Sequence, residues 1–307
     1  MADHLHSITL LAPAKVNLTL AITGRRDDGY HTMQSLVMFA ALADTISLTA
    51  LDDADEDELI IHGNDALAAM PGNIMLKAAS AYRAATGHAQ RFGLTLTKAI
   101  PMAAGVGGGS ADAAATLLAI NAFFGHALTD DELAQLGLSL GADVPVCLGG
   151  HRHLTWRMEG IGDRLTAVDF PLAHELGIIL TNPGVDVPTG PVFQHLRPDD
   201  FRAHQPKPDD IPTAEALKNW LDDGNSLTRP ACALQHIIPR HLDALSALNS
   251  HDGYLASGMS GSGATCFALF TSKAAALNAA KGLPASLDWV WAGGMFDPSS
   301  SVPGRDE

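Results

Sequence analysis

Val16, Leu18, Leu20 and Ile22 alternate with Asn17, Thr19 and Ala21, and this period of two predicts a strand over residues 16–23. A charged, glycine-containing turn follows at 24–31, then two strand-like runs, MQSLVMFAAL and DTISLTAL. The acidic run 52–58 reads as a solvated loop with no function assigned. Asn73 is placed to cap a helix running to about Ala85 and closed by Gly87, and the alternating segment 92–98 is a further strand. An Ala/Leu-rich run then predicts a helix that Gly125 ends. Its stretch 113–124, interrupted by Thr116 and Asn121, is too short to span a membrane and reads as a helix buried in a core. Thr129 and Glu132 form a capping box for a helix over 130–140 that stops at Gly141.

The second half opens with hairpin signals at 149–168 and a short buried strand in ELGIILTNPG, which leads to VDVPTGPVF. Residues 197–212, rich in proline and charge, read as a surface loop. Helical patterns follow at 213–222 and 229–249. A second glycine cluster at 257–270 ends in a strand, and a helix at 272–282 and a strand at 288–293 complete the chain. There is no internal repeat and no heptad pattern. Mixed strands and helices in two halves predict an α+β protein of two domains, 1–160 and 161–307.

Composition narrows the function. The chain has 307 residues, 47% hydrophobic and 17% charged, which suits a folded globular protein with sizeable cores. A formal charge of −15 argues against nucleic acid or an anionic membrane as partner, so any anionic ligand has to be held locally. Cys147, Cys232 and Cys266 show neither disulfide nor zinc spacing, and the N-terminus has no signal-peptide pattern. A cytoplasmic location is the expectation.

The candidate chemistry gathers on residues 101–118, PMAAGVGGGSADAAATLL. Bare amides at Gly105, Gly107, Gly108 and Gly109 can approach an anion closely, and the free N–H groups of the following helix add a positive dipole end. A left-handed backbone is expected at Gly108. The loop is neither the P-loop nor the dinucleotide fingerprint, and a ligand-free tight turn is the alternative reading. Lys15 and Asn17 share one face of the first strand, either solvated or turned to a site. Asp143, in the apolar LSLGADVPVCLGG, sits at a helix C-terminus where the dipole does not favour it, so it is either exposed or used.

Taken together, APAKVNLTLAITGRRDDGYH, PMAAGVGGGSADAA, LGADVPV, NPGVDVPT and SGSGA resemble, in order and over nearly the whole length, the superfamily of galactokinase, homoserine, mevalonate and phosphomevalonate kinases. Within it, they are most similar to the branch whose substrate carries a cytidine diphosphate. The resemblance implies an N-terminal domain like the second domain of ribosomal protein S5 and a ferredoxin-like C-terminal domain, with phosphoryl transfer from ATP to an alcohol between them. It implies Lys15 and Asp143 as the catalytic pair, and Pro101, Met102, Ala103, Ala104, Gly105, Val106, Gly107, Gly108, Gly109 and Ser110 at ATP. Asn17, Tyr30, His31 and Phe193 are implied at the cytidyl substrate, with Phe193 facing Tyr30 across the cytosine. Magnesium is expected with ATP, with no carboxylate cage in the sequence and Ser110 the best-placed protein ligand. Ala104 replaces a common glycine, Ala111 a common second serine, and Val106 a common leucine. A kinase of a mevalonate- or homoserine-like alcohol, or an inactive nucleotide-binding relative, is the alternative.

Overall fold

The structure, a computed structural model, describes residues 7–63, 67, 72–102 and 105–301. One strand organises the first half. β3 (His31–Leu51) runs through 21 residues, where the sequence suggests two separate strands. Along one edge it pairs antiparallel with β1 (Ser7–Asn17) and β2 (Ala21–Arg25), and along the other with β5 (Arg91–Thr97) and β6 (Thr155–Gly160). β4 (Glu58–His62) and β7 (Arg164–Ala167) complete a seven-stranded sheet. The β6–β7 hairpin runs across residue 160, so this sheet ends at Ala167.

The strand expected over 16–23 is two strands. At Leu18 the chain leaves the sheet, and Leu20 donates its N–H to Gly224 and accepts from Ser226 before β2 begins. Alternation did not reveal the break because Asn17, Thr19 and Ala21 are buried as well as the four apolar residues. The acidic run is solvated only in part. Asp57 pairs with Arg83 and accepts the N–H of Phe92 at 3.0 Å, tying the loop before β4 to a helix and β5.

Helix boundaries follow local chemistry. α1 (Ile74–Thr86) has Asn73 accepting from Met75 N–H at its start and a left-handed Gly87 at its end. α2 (Gly108–Phe123) packs on β1, flanked by α1, α3 (Asp130–Leu140) and α4 (Val144–Gly150). It is buried nearly all round, and its polar residues are bonded inside the core. Asn121 accepts from Tyr82 Oη at 2.9 Å and from Leu128 N–H, and Thr116 donates to the Asp112 carbonyl. The Thr129–Glu132 capping box of α3 forms as its sequence specifies.

The second sheet has the order β11-β8-β10-β9, from β8 (Gly177–Asn182), β9 (Tyr254–Met259), β10 (Cys266–Phe270) and β11 (Trp289–Gly294). Helices α5 (Thr189–Gln194), α6 (Ala214–Leu221), α7 (Thr228–Leu234) and α8 (Ile238–Ser246) lie between β8 and β9, and α9 (Lys273–Ala280) joins β10 to β11. Numbering those strands one to four, the order is 4-1-3-2 with helical crossovers, the ferredoxin-like arrangement. The pattern at 229–249 divides into α7 and α8. Residues 197–212 are more than a surface loop, for Ile211 is fully buried, Phe201 bridges Ile22, and Asp210 bridges Asp169.

The two sheets share a core. Ile178, Leu180, Phe267 and Leu269 join the cluster built on β1, β3 and α2, while Leu20 and Ile22 belong to the cluster beneath the second sheet. At the end of β11 the chain returns to β3, where Phe296 N–H donates to Phe39 at 2.9 Å. Among the described residues no helix is long and apolar enough to cross a membrane.

Candidate active site

The glycine loop lies where the two sheets meet. Ala103 and Ala104 fall outside the described residues; from Gly105 onward the backbone is defined. The left-handed positions are Gly105 and Gly107, both at φ 68°, and not Gly108. Gly105 is also required by packing, because a Cβ there would lie 2.2 Å from the Gly263 carbonyl oxygen in the second glycine cluster. Ser260 joins the two loops. Its hydroxyl donates to the Gly105 carbonyl at 3.1 Å and accepts from Asn17 N–H at 3.0 Å. Asn225 holds the second loop in turn, donating to the carbonyls of Met259 and Gly261 at 2.7 and 2.8 Å.

Two cavities share this loop as a wall. One, of about 460 Å³, is lined by Asn73, Ile74, Lys98, Pro101, Met102, Asp112 and the loop. The other, of about 380 Å³, is lined by Lys15, Asn17, Asp143, Thr189, Phe193 and Ser262 among others. Gly105, Gly107 and Ser110 face both. Gly108 and Gly109 line the first cavity, and a Cβ on Gly109 would meet nothing within 4 Å. Val106 is buried, its carbonyl accepting the Lys15 N–H at 2.9 Å. Ala111 is part of the core, so a serine there would place its hydroxyl among apolar side chains instead of on the cradle.

Lys15 reaches the second cavity from a bulge in β1 between Pro13 and Lys15. Its stem lies against Gly107, where an added Cβ would come within 3.3 Å of its own Cβ, and only 4% of the residue is exposed. The ammonium donates to Asp143 Oδ2 at 2.8 Å. Asp143 follows α3 by three residues but forms the N-cap of α4, so the dipole nearest it is the favourable end of the next helix. Its side chain caps nothing there. One carboxylate oxygen is committed to Lys15, and with the side chain 39% exposed the group remains accessible from the cavity.

Asn17 lies beside this pair. Its Nδ2 donates to Ser35 at 2.8 Å, while its buried Oδ1 has no protein partner. A buried acceptor without a donor is costly, and this one belongs to a cavity-lining residue, so it suits a ligand that brings a donor. Phe193, at the end of α5, lines the same cavity. The ring recorded against it is His31, with centroids 5.2 Å apart and a 40° tilt. Burial, with Arg25 nearby, holds the His31 imidazole below its ordinary pKa and so in its neutral form. Tyr30, one residue earlier, is 62% exposed at the tip of the β2–β3 turn.

Sequence reasoning overlooked a buried ionic cluster below the loop. Lys98 at the end of β5 donates to Asp44 and, at 3.0 Å, to Asp112 on α2. Asp44 also accepts the N–H groups of Ala99 and Ile100 at 2.6 and 2.9 Å, fixing the chain as it enters Pro101. One lysine thus serves two carboxylates, and burial pushes Asp112 up to about 7. Asp112 Oδ1 is buried without a protein partner at the first cavity. A lone aspartate in an alanine-rich helix was the available signal.

Comparison with known proteins bears on the same segments. The profiles of the GHMP kinases N terminal domain and GHMP kinases C terminal match residues 73–151 and 215–288. A 4-diphosphocytidyl-2-C-methyl-D-erythritol kinase of Ruegeria pomeroyi is 46% identical over 272 residues, 87% of this chain and 90% of its own. One of Granulibacter bethesdensis is 41% identical over 297 residues, 95% of each chain. The chain belongs to the 4-diphosphocytidyl-2-C-methyl-D-erythritol kinase family of GHMP kinases. A crystal structure of 4-(cytidine 5'-diphospho)-2C-methyl-D-erythritol kinase matches with a TM-score of 0.75 at 33% identity, covering 94% of this chain and all of that one. Homoserine kinase from Cytophaga hutchinsonii, at 21% identity and a TM-score of 0.67, shares the fold. Membership of this kinase family makes the chain a small-molecule phosphotransferase with ATP as donor.

Proposed function

We propose that the chain transfers the γ-phosphoryl group of ATP to the free tertiary 2-hydroxyl of 4-diphosphocytidyl-2-C-methyl-D-erythritol, a step of non-mevalonate isoprenoid precursor synthesis. The observation that carries this reading is the shared wall. A glycine cradle separates two cavities, and the Lys15–Asp143 pair stands on the side away from Lys98 and Asp112. ATP in the first cavity would present its terminal phosphate across Gly105, Gly107 and Ser110 to an alcohol in the second.

Phosphoryl transfer asks the protein chiefly to position the reactants and balance charge. Asp143 accepts the hydroxyl proton through the oxygen that Lys15 leaves free. The alcohol oxygen bonds to the γ-phosphorus as the bond to the β-phosphate oxygen breaks and ADP departs. Lys15 keeps the carboxylate ionised and offsets the negative charge that gathers between acceptor and donor. Loop amides and the N-terminus of α2 hold the phosphates. Magnesium bound with ATP would neutralise phosphate charge. Phosphate oxygens and water suit it as main ligands.

Asn17 Oδ1 supplies an acceptor beside the catalytic pair, while at the far end the neutral His31 supplies a hydrogen-bonding group for the polar edge of cytosine, and Tyr30 and Phe193 supply aromatic faces. The proximity of His31 to Phe193 favours an arrangement in which Phe193 backs the imidazole and the exposed Tyr30 takes the open face of the base. A mevalonate- or homoserine-like acceptor would have no use for this aromatic set. In this reading the division between the two units lies between Ala167 and Gly177, where the first sheet ends and the second begins.

Asp143→Asn tests the mechanism. The variant is nearly isosteric, and it is expected to fold and bind both substrates while losing turnover by a factor on the order of 10²–10⁴, the usual worth of a general base. If Asp143 serves only as an ion-pair partner of Lys15, the variant loses thermal stability and keeps near-parental kcat, which would refute its role.

A further inference from the structure

His31 is in ring contact with two phenyl groups, and the reaction accounts for only one of them. Phe193 comes from α5, while Phe201 lies just beyond the turn Pro198–Asp200 with its ring centroid 6.0 Å from the imidazole. Phe201 is fixed against β2, where it bridges Ile22 and where the next N–H, of Arg202, donates to the Ile22 carbonyl at 2.8 Å. β2 pairs with the start of β3, placing Arg25 opposite His31. The stretch carrying Phe201 is therefore laid along the strand next to the one that carries the imidazole.

One side chain ties both phenyl-bearing segments together. Arg229, on α7, donates through Nε to Asp200 Oδ1 at 2.8 Å and through Nη2 to Asp200 Oδ2, a two-pronged pair. The same Nη2 donates to the carbonyl of His195 at 2.9 Å, and His195 immediately follows α5. Asp200 is nine-tenths buried and also accepts the Arg197 N–H at 2.6 Å. One guanidinium thus fixes both the end of the helix that presents Phe193 and the turn that presents Phe201. Neither Arg229 nor Asp200 lines either cavity of the shared wall, so phosphoryl transfer itself gives no reason for the pair.

We propose that Phe201 is a specificity-determining positioning residue, and that the Arg229–Asp200 pair sets it and Phe193 against His31 so that the imidazole meets the nucleobase of the acceptor in one orientation. This rests on the reading that places the cytosine at His31. A flat side chain with no hydrogen-bond partner among the described residues needs flanking surfaces to hold it, and an imidazole held in advance spares the ordering cost when the base binds. Phe201 also packs against the core beneath the second sheet, so a selective effect on the cytidyl KM, and not a loss of stability, is what marks a positioning role.

Steady-state kinetics on the full chain with ATP and the cytidyl substrate test the proposal. Phe201→Ala is expected to raise KM for the cytidyl substrate about two- to tenfold, the range that aromatic pair energies imply, with kcat and the KM for ATP little changed. Phe201→Tyr keeps the ring and is expected to restore most of the affinity. Arg229→Met is expected to act in the same direction as Phe201→Ala. Since it removes an anchor and can cost folding, the two Phe201 variants decide. His31→Ala separates the two layers of the argument. If it raises the cytidyl KM while Phe201→Ala does not, the positioning role is overturned and the base site stands. If His31→Ala leaves that KM unchanged, the base site fails and the proposal with it. A Phe201→Ala variant in which kcat and thermal stability fall while both KM values rise together shows a structural role and overturns the proposal.

Discussion

Gly105 and Gly109 stand four residues apart in one loop, yet they are glycines for different reasons. Gly105 has a left-handed backbone and sits against the Gly263 carbonyl, so its missing side chain is a condition of folding. Gly109 has open space where a Cβ would go and lines the first cavity, so in the proposed reading its missing side chain is a condition of binding. Gly109→Val is therefore expected to leave the melting temperature near the parent's while raising KM for ATP at least tenfold, since a branched side chain would stand where a phosphate has to lie. Calorimetry beside ATP-dependent kinetics checks this, and unchanged ATP kinetics in the folded variant would contradict the cradle. The sequence marked the glycines but not the division of labour among them, because φ and the atoms across a contact are set by chain distant in sequence. Lys98, Asp44 and Asp112 escaped notice for the same reason. Each is an ordinary charged residue locally, and only β5, β3 and α2 packing together makes them one buried group.

Elements with their own terminal signals were the most legible. The Asn73 cap, the Gly87 stop and the Thr129–Glu132 capping box each bond within a few residues, so local sequence suffices. β3 was harder to read. From Leu36 to Ala40 every residue is buried, because the strand is paired on both edges and covered on both faces, and a period of two vanishes when both faces are dry. The surroundings of Asp143 were misread for another reason. Distance along the chain joined it to the end of α3, whereas the backbone turns at Gly141 and makes it the N-cap of α4. The docking of the two glycine loops is a property of elements and can be tested as one. Gly105→Ala would bring a Cβ against the backbone of Gly263, where no flexible side chain can give way. It is expected to lower thermal stability and to weaken both ATP and acceptor binding, measured by titration calorimetry, in contrast to the selective effect of Gly109→Val. Selective loss of ATP binding alone would show that the second loop is not part of the wall.

At the scale of the whole molecule, each of the two cavities is lined from more than one part of the fold. In the proposed reading the acceptor cavity takes Lys15 and Asn17 from the first sheet, Asp143 from the N-cap of α4, and Thr189, Phe193 and Ser262 from the ferredoxin-like half. The loop that would hold the phosphates is braced by a serine of that same half. Neither half alone closes the site, which accounts for the core running through both sheets. The ordered motifs made the family legible, since each marks a wall of one site. The strap 197–212 stayed illegible because its proline and charge describe its surface and not the contacts of Phe201, Asp200 and Ile211. The central claim is that this site moves a phosphoryl group from ATP to a cytidyl-linked tertiary alcohol. The most direct measurement incubates the full chain with ATP, magnesium and, separately, 4-diphosphocytidyl-2-C-methyl-D-erythritol, mevalonate and homoserine, and follows ADP and products by phosphorus NMR. The account predicts stoichiometric ADP and a new phosphomonoester on the cytidyl substrate alone. Phosphorylation of mevalonate or homoserine with the cytidyl compound untouched, or no phosphoester with any acceptor, would contradict it.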